Sequence, residues 1–430
     1  MEKEKFRELI IEHKERFLAR QGFVRREVQD EIARYLPQRE IVIITGVRRS
    51  GKSSLMRLIC GDLLERKAVP EANILYLNFE DERFLTFAVR DFEPLYETFL
   101  EIEKPRGLKY LFLDEIQNLP SWERWLNRLY EFEDVKIFIT GSNAAILLPE
   151  TATALTGRNR QIVTWPFSFR EFLTMRGVTV DEKSLYRRQG KADLKHCFRE
   201  YCRLGGFPEV IRAADASLLE QYYRDILYRD VIARYRIKNI REMKEMTLFL
   251  AANPGTIQSY RNLGNLIGVR SVNTVKNYLH ALEDVYLFFC VDLFDYSLKR
   301  QIYNPSKVYC IDTALCDAVS FKFSRNLGHL YENMVFLELR RRGREVFYWK
   351  SPKGREIDFI LKEGLRVTEA IQVSLSLVDT KTRHREFQAL KAANDELQVD
   401  RLTLITEDEE GKESIDHHEI NLIPLWKWLL

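Results

Sequence analysis

Residues 46–53 read Gly-Val-Arg-Arg-Ser-Gly-Lys-Ser, and Ser54 follows. Glycines at both ends of such a loop let successive backbone N–H groups curl around an anion. A lysine adds fixed positive charge, and the hydroxyl after it can ligate Mg2+. Gly46, Val47, Arg48, Arg49, Ser50, Gly51, Lys52, Ser53 and Ser54 therefore have the makeup of a cradle for the phosphates of ATP. Further on, the paired carboxylates Asp114 and Glu115 end the apolar run Tyr110-Leu-Phe-Leu. Asp114 would hold Mg2+ through its water shell, and Glu115 would orient and deprotonate an attacking water. Asp-Glu alone says little, but after a phosphate cradle the pair points to hydrolysis of a nucleoside triphosphate.

These groups work only if the backbone brings them to one place. Ile41-Val-Ile-Ile and Tyr110-Leu-Phe-Leu are short apolar runs of the kind found in parallel strands buried on both faces, and Val135-Lys-Ile-Phe-Ile-Thr140 and Gln161-Ile-Val-Thr164 supply two more. The cradle lies between the first strand and the helical run Ser54-Leu-Met-Arg-Leu-Ile, as a P-loop must. Ser142 and Asn143, just past the third run, are candidate sensors of the γ-phosphate. A helix over 144–155 then leads to Arg158. That arginine is either a finger offered to a neighbouring subunit or a helix-end cation satisfying the dipole. Asp81 and Glu82, just past Ile74-Leu-Tyr-Leu, either reach the nucleotide pocket or cap a turn, with the cap preferred.

These motifs, with Asn78-Phe-Glu-Asp-Glu-Arg83, Trp122 and Trp125 after Leu113-Asp-Glu-Ile-Gln117, Leu155-Thr-Gly-Arg158 and Gly205-Gly-Phe-Pro-Glu209, resemble the AAA+-type ATPases common in archaea and many bacteria. The resemblance covers nearly the whole chain. It implies an α/β P-loop AAA+ core, a parallel sheet with helices on both faces, over residues 1–165. It further implies a helical lid over 166–240, a winged helix-turn-helix over 241–300, and over 301–430 an α/β domain like the restriction-endonuclease or PD-(D/E)XK nucleases.

The residues themselves fit that plan. Amphipathic runs fill 166–241, and Gly205-Gly206 reads as a helix end before a restart at Pro208. Arg229, Arg234, Arg236 and Lys238 make this the most basic helical stretch, either a solvated face or a phosphate-contacting one. Helices over 242–252, 259–267 and from Ser271 read as a winged helix, with Ser271 as cap and Asn273, Thr274, Lys276 and Asn277 placed to reach bases or phosphates. Residues 285–300 would form its wing, with Lys299 and Arg300 at the edge.

In the last domain, Glu332, Asp358 and Gln372 fall where the nuclease fold places its Mg2+-binding acids. Gln372-Val-Ser374 replaces the acid-x-Lys element, so cleavage would need Lys350, Lys362 or Lys381 to move into the missing cationic role. A structural or DNA-gripping remnant is favoured over cleavage.

The 430 residues suggest about three domains, and 45% hydrophobic with 30% charged residues excludes disorder. No run reaches the 18 apolar residues of a membrane helix, and Met-Glu-Lys-Glu-Lys is no signal sequence, which points to a cytoplasmic protein without a membrane partner. The net charge of +3 leaves any DNA contact to local patches. Six cysteines without a C-x-x-C pair read as reduced, buried thiols. The expectation is an Mg2+-dependent, oligomeric ATPase acting on DNA. The alternative is an ATP-gated switch whose C-terminal domains bind a protein.

Overall fold

Residues 41–45 (β1, Ile41–Thr45) are buried at every position. Ile41 and Ile43 face a core shared with Phe6, Leu9 and Trp125, while Val42 and Ile44 face a second core with Leu55, Met56 and Phe112. A strand covered on both faces must be apolar throughout, which is why its pattern is a run and not an alternation. Fully burying each such side chain contributes about 1.5–3 kcal/mol.

The computed structural model describes residues 3–19, 22–142, 155, 157–320 and 327–430. It divides into two units, Met1–Trp165 and Pro166–Leu430. In the first, β1 is joined by β2 (Ile74–Asn78), β3 (Lys109–Asp114), β4 (Val135–Thr140) and β5 (Asn159–Val163) in the order β2-β3-β4-β1-β5. All four pairings are parallel, so the expected parallel sheet is present. Helices α1 (Lys3–Leu18), α2 (Val28–Tyr35), α3 (Lys52–Arg66), α4 (Phe92–Glu103) and α5 (Trp122–Phe132) belong to the same unit. Asn143 and most of the expected helix over 144–155 lie outside the described residues.

The second unit begins with α6 (Phe169–Met175), held by a reciprocal cap in which Glu171 N–H donates to Ser168 Oγ and Ser168 N–H donates back to Glu171 Oε2. Then come α7 (Glu182–Tyr186), α8 (Arg188–Leu204), α9 (Pro208–Ala213) and α10 (Leu218–Asp225), followed by a π-helical stretch over Ile226–Ala233. Between α8 and α9, Gly206 N–H donates 2.7 Å to the buried carboxylate of Asp312. Asp312 also accepts from Leu315 N–H.

Next are α11 (Ile240–Ala252), β6 (Ile257–Gln258), α12 (Tyr260–Leu266), α13 (Val272–Asp284), β7 (Phe288–Val291), α14 (Leu298–Tyr303) and β8 (Ser306–Cys310). The three strands form an antiparallel sheet in the order β6-β8-β7. Ser271 caps α13 as expected, accepting from Thr274 N–H. The anticipated hairpin within 285–300 is not what forms. The good helix formers of Leu298-Lys-Arg-Gln-Ile-Tyr coil into α14, Asp295 accepts from Ser297 N–H just ahead of it, and β7 finds its partner only at 306–310.

After α15 (Thr313–Val319) and α16 (Leu327–Arg341), strands β9 (Val346–Lys350), β10 (Glu356–Glu363), β11 (Arg366–Val373), β12 (Arg401–Thr406), β13 (Gly411–Ile415) and β14 (His418–Pro424) build a six-stranded sheet, order β13-β14-β12-β11-β10-β9. Helix α17 (Thr380–Leu397) lies between β11 and β12 in the chain, and α18 (Leu425–Trp428) ends it. The succession of elements from Leu330 to Thr406 follows the sequence expectation. Among the described residues no helix is long and apolar enough to cross a membrane.

Candidate functional site

The loop after β1 is forced to be glycine at its first residue. Gly46 has φ +136°, and a Cβ there would lie 2.2 Å from the carbonyl oxygen of Thr164, so any side chain would collide with backbone. The loop ends at Gly51, in the left-handed region, where α3 begins with Lys52. Lys52 is 6% exposed, and its ammonium donates 3.1 Å to the carbonyl of Gly46 and 3.3 Å to that of Val47. A buried Arg26 braces the loop from outside, donating 3.0 Å to the carbonyl of Ser50.

The tips of β1, β3 and β4 lie together because the pairings align Ile44 with Thr140 and continue through β3. Asp114 is 1% exposed and accepts hydrogen bonds from Thr140, Ser53 and Tyr76, the last at 3.0 Å. Burial pushes its carboxyl above the ordinary aspartate range, while the bonds from Ser53, Thr140 and Tyr76 pull the other way. Glu115 has φ +52°, an uncommon conformation for a residue with a side chain. Its N–H donates 2.9 Å to Thr140 Oγ1, and its carboxylate stands 3.9 Å from Lys52 Nζ. One threonine hydroxyl thus serves both acids.

The donor set suits a nucleotide with Mg2+. Ser53 and Asp114, a hydroxyl and a carboxylate already in contact, are hard oxygen ligands. Ser50 Oγ and Ser142 Oγ are buried without a hydrogen-bond partner among the described residues, so the protein leaves polar groups here for something else to satisfy.

Arg158 is elsewhere. It immediately precedes β5, whose Asn159 pairs with Ile41 at the start of β1, whereas the loop follows the other end. Its guanidinium is 2.8 Å from Glu131, bonded to Asn127 and set over the Tyr130 ring, all on α5. It therefore does not join the cluster in its own chain. Asp81 caps the short turn Glu82–Phe84, accepting from Arg83 N–H, and also accepts 3.0 Å from His13. The preferred capping reading of Asp81 agrees with this geometry.

In the second unit Glu332, Asp358 and Gln372 do converge, but around a residue the sequence reading passed over. Lys307, on β8 and 1% exposed, places its ammonium 2.9 Å from Glu332 and 2.8 Å from both Asp358 and Glu356. Gln372 accepts from Asp358 N–H at 3.1 Å and donates its amide to Glu386 at 2.9 Å. Lys350 and Lys381 are exposed, and Lys362 pairs with Glu345 at 3.3 Å, so none of them supplies the cation. The signal for Lys307 was its alternation with Val308 in Ser-Lys-Val-Tyr-Cys, which puts Lys307 and Tyr309 on one face of a buried strand.

Residues 38–173 match the model of the AAA domain, 195–326 a domain of unknown function (DUF8612) and 327–428 another (DUF4143). The uncharacterized protein MJ1544 of Methanocaldococcus jannaschii is 35% identical over 442 residues, 99% of this chain and 95% of that protein. An uncharacterized protein of Haemophilus influenzae is 32% identical, over 75% of this chain and 80% of its own length. Among solved structures, the ORC1 protein of Aeropyrum pernix in complex with DNA aligns at 15% identity over 71% of this chain and 95% of its own, with a TM-score of 0.31. The chain belongs to the family that these archaeal and bacterial relatives form, and it carries an AAA domain.

Proposed function

We propose that this AAA-domain protein is an Mg2+-dependent ATPase of the AAA+ type that engages DNA through its second unit. The observation that carries the ATPase reading is the convergence of Lys52, Ser53, Asp114 and Glu115 at the strand tips beside a glycine-forced loop. The loop N–H groups and Lys52 would bind the phosphates, and Ser53 and Asp114 would hold Mg2+. Bound Mg2+ neutralises charge on the phosphates. Glu115 would orient the attacking water and take its proton. Ser142, and Asn143 with it, would sense the terminal phosphate. Arg158 would serve a neighbouring subunit in an oligomer by exchanging Glu131 and Asn127 for that subunit's nucleotide.

For DNA, the support is local. Over 240–310 the order is helix, short strand, helix, helix, strand, helix and strand; we read this as a winged helix whose wing is β7 and β8 with α14 inserted, and the exposed Asn273, Lys276 and Asn277 lie near the start of α13. Arg229, Arg234, Arg236 and Lys238 are exposed on the preceding stretch. We read 166–240 as the helical lid and the six-stranded unit as a PD-(D/E)XK-like domain.

ATP turnover in Mg2+, with and without single-stranded, duplex and branched DNA, tests the reading. Stimulation by one form supports it. Turnover indifferent to every DNA, with no binding at low salt, would replace it with an ATP-gated switch directed at a protein.

A further inference from the structure

We propose that Lys307 is the resident cation of the acid cluster in the second unit, standing where a nuclease would hold a divalent metal, and that the cluster is a metal-free lock and not a cutting site. The Lys307 ammonium donates 2.9 Å to Glu332 and 2.8 Å to Asp358, and Glu356 stands 2.8 Å away as a third ion-pair partner. Tyr309 donates 2.6 Å to the same Glu332 oxygen that Lys307 holds, and Val373 N–H donates 2.9 Å to the second oxygen of Asp358.

One side of the cluster is closed: Gly255 lies against Glu332 so tightly that a Cβ would sit 2.9 Å from the carboxylate, and its φ of +75° also favours glycine. A magnesium ion needs six oxygen ligands in near-octahedral array, and the point on which Glu332, Glu356 and Asp358 converge is taken by the ammonium. Three acids facing one lysine leave the cluster short of positive charge. Burial and Glu332 accordingly hold the Asp358 carboxyl well above its ordinary range, while Lys307 is held charged by its neighbours.

The lock has a mechanical meaning. Lys307 is on β8, the central strand of the three-stranded sheet, whereas Glu332 is on α16 and Glu356 and Asp358 are on β10 of the six-stranded sheet. The ammonium therefore rivets the sheet proposed to carry the DNA-binding helices to the C-terminal sheet, so that load on one is passed to the other. This holds whether or not the ATPase reading does.

The test is amine-reactive footprinting of nucleotide-free, full-length wild-type protein, read by mass spectrometry in EDTA and in millimolar Mn2+. Lys307 should stay unmodified in both. Modification appearing only with Mn2+ would mean that metal displaces the lysine and would overturn the proposal. Lys307→Met should gain a rise of several degrees in Tm on adding Mn2+, absent from wild type and lost again in Lys307→Met with Asp358→Asn. A Mn2+-dependent rise in wild type that Asp358→Asn removes, or DNA cleavage by wild type that it removes, would also overturn the assignment. If Lys307→Met does not fold, the wild-type footprint still decides.

Discussion

Lys52 and Glu115 stand 3.9 Å apart at the mouth of the phosphate loop, the cation leaning on loop carbonyls and the acid turned toward it by a left-handed backbone. On the proposed reading the pair would link the group that binds phosphate to the group that activates water. Glu115→Gln should keep ATP binding and lose turnover by a hundredfold or more, about the share of a positioned general base. Equilibrium binding of a fluorescent nucleotide beside steady-state phosphate release separates the two effects. Wild-type turnover in this variant would remove Glu115 from the mechanism.

Thr140 contacts both acids through one hydroxyl. Thr140→Val should remove one of the three donors to the buried Asp114 and free Glu115 N–H, lowering kcat about tenfold and raising the Mg2+ concentration needed for half-maximal turnover. A Mg2+ titration of turnover reads both changes.

Arg158 is bound to α5 in its own chain, and on the proposed reading it would act on the ATP of a neighbouring subunit. Arg158→Ala and Glu115→Gln should each be inactive alone, and mixing them should restore part of the activity, because one class of mixed interface has both an intact Glu115 and an intact arginine. No recovery in mixed oligomers confirmed by light scattering would confine Arg158 to its Glu131 contact.

Lys276→Glu with Asn277→Ala should weaken DNA retention and reduce the slope of binding against salt by about one counterion per lost cation. ATP turnover without DNA should be unchanged. Fluorescence anisotropy across a salt series measures it.

The carboxyl of Asp358 is pushed up to about 7 by burial and by Glu332, in spite of Lys307. An acid whose folded pKa is raised favours the folded state while protonated. Its contribution is complete below about pH 4 and is lost as pH rises through about 7. Hydrogen exchange in β10 and β11 should therefore speed up between about pH 4 and pH 7, after correction for intrinsic rates, and Asp358→Asn should flatten that trend.

Legibility in the sequence followed how local each signal was. The phosphate loop and the strand ending in Asp114 and Glu115 were readable because a run of apolar residues meets its polar groups at one chain position. The hairpin expected within 285–300 does not form because the residues after Ser297 coil into a helix, and β7 pairs instead with β8. Lys307 was missed for a different reason. Its partners come from residues 332, 356 and 358, and no spacing rule ties a lysine on one strand to acids that later elements bring to it. Tyr76 and Arg26 were equally silent, since their roles are set by contacts across the sheet and loop.

The hydrogen bond from Gly206 to Asp312 joins residues 106 apart in the chain. The first unit contains every partner of its five-stranded sheet by Val163, so its sheet can close while the ribosome is still working on the rest. The joint between α8 and α9 has no such independence. It has a buried amide waiting for a carboxylate not yet made, and Lys307, once made, waits in turn for Glu332 and Asp358. The joint between these early helices is therefore completed late, by a carboxylate made more than a hundred residues after it, and a chain stalled before residue 312 would hold a finished five-stranded sheet followed by an unsatisfied joint.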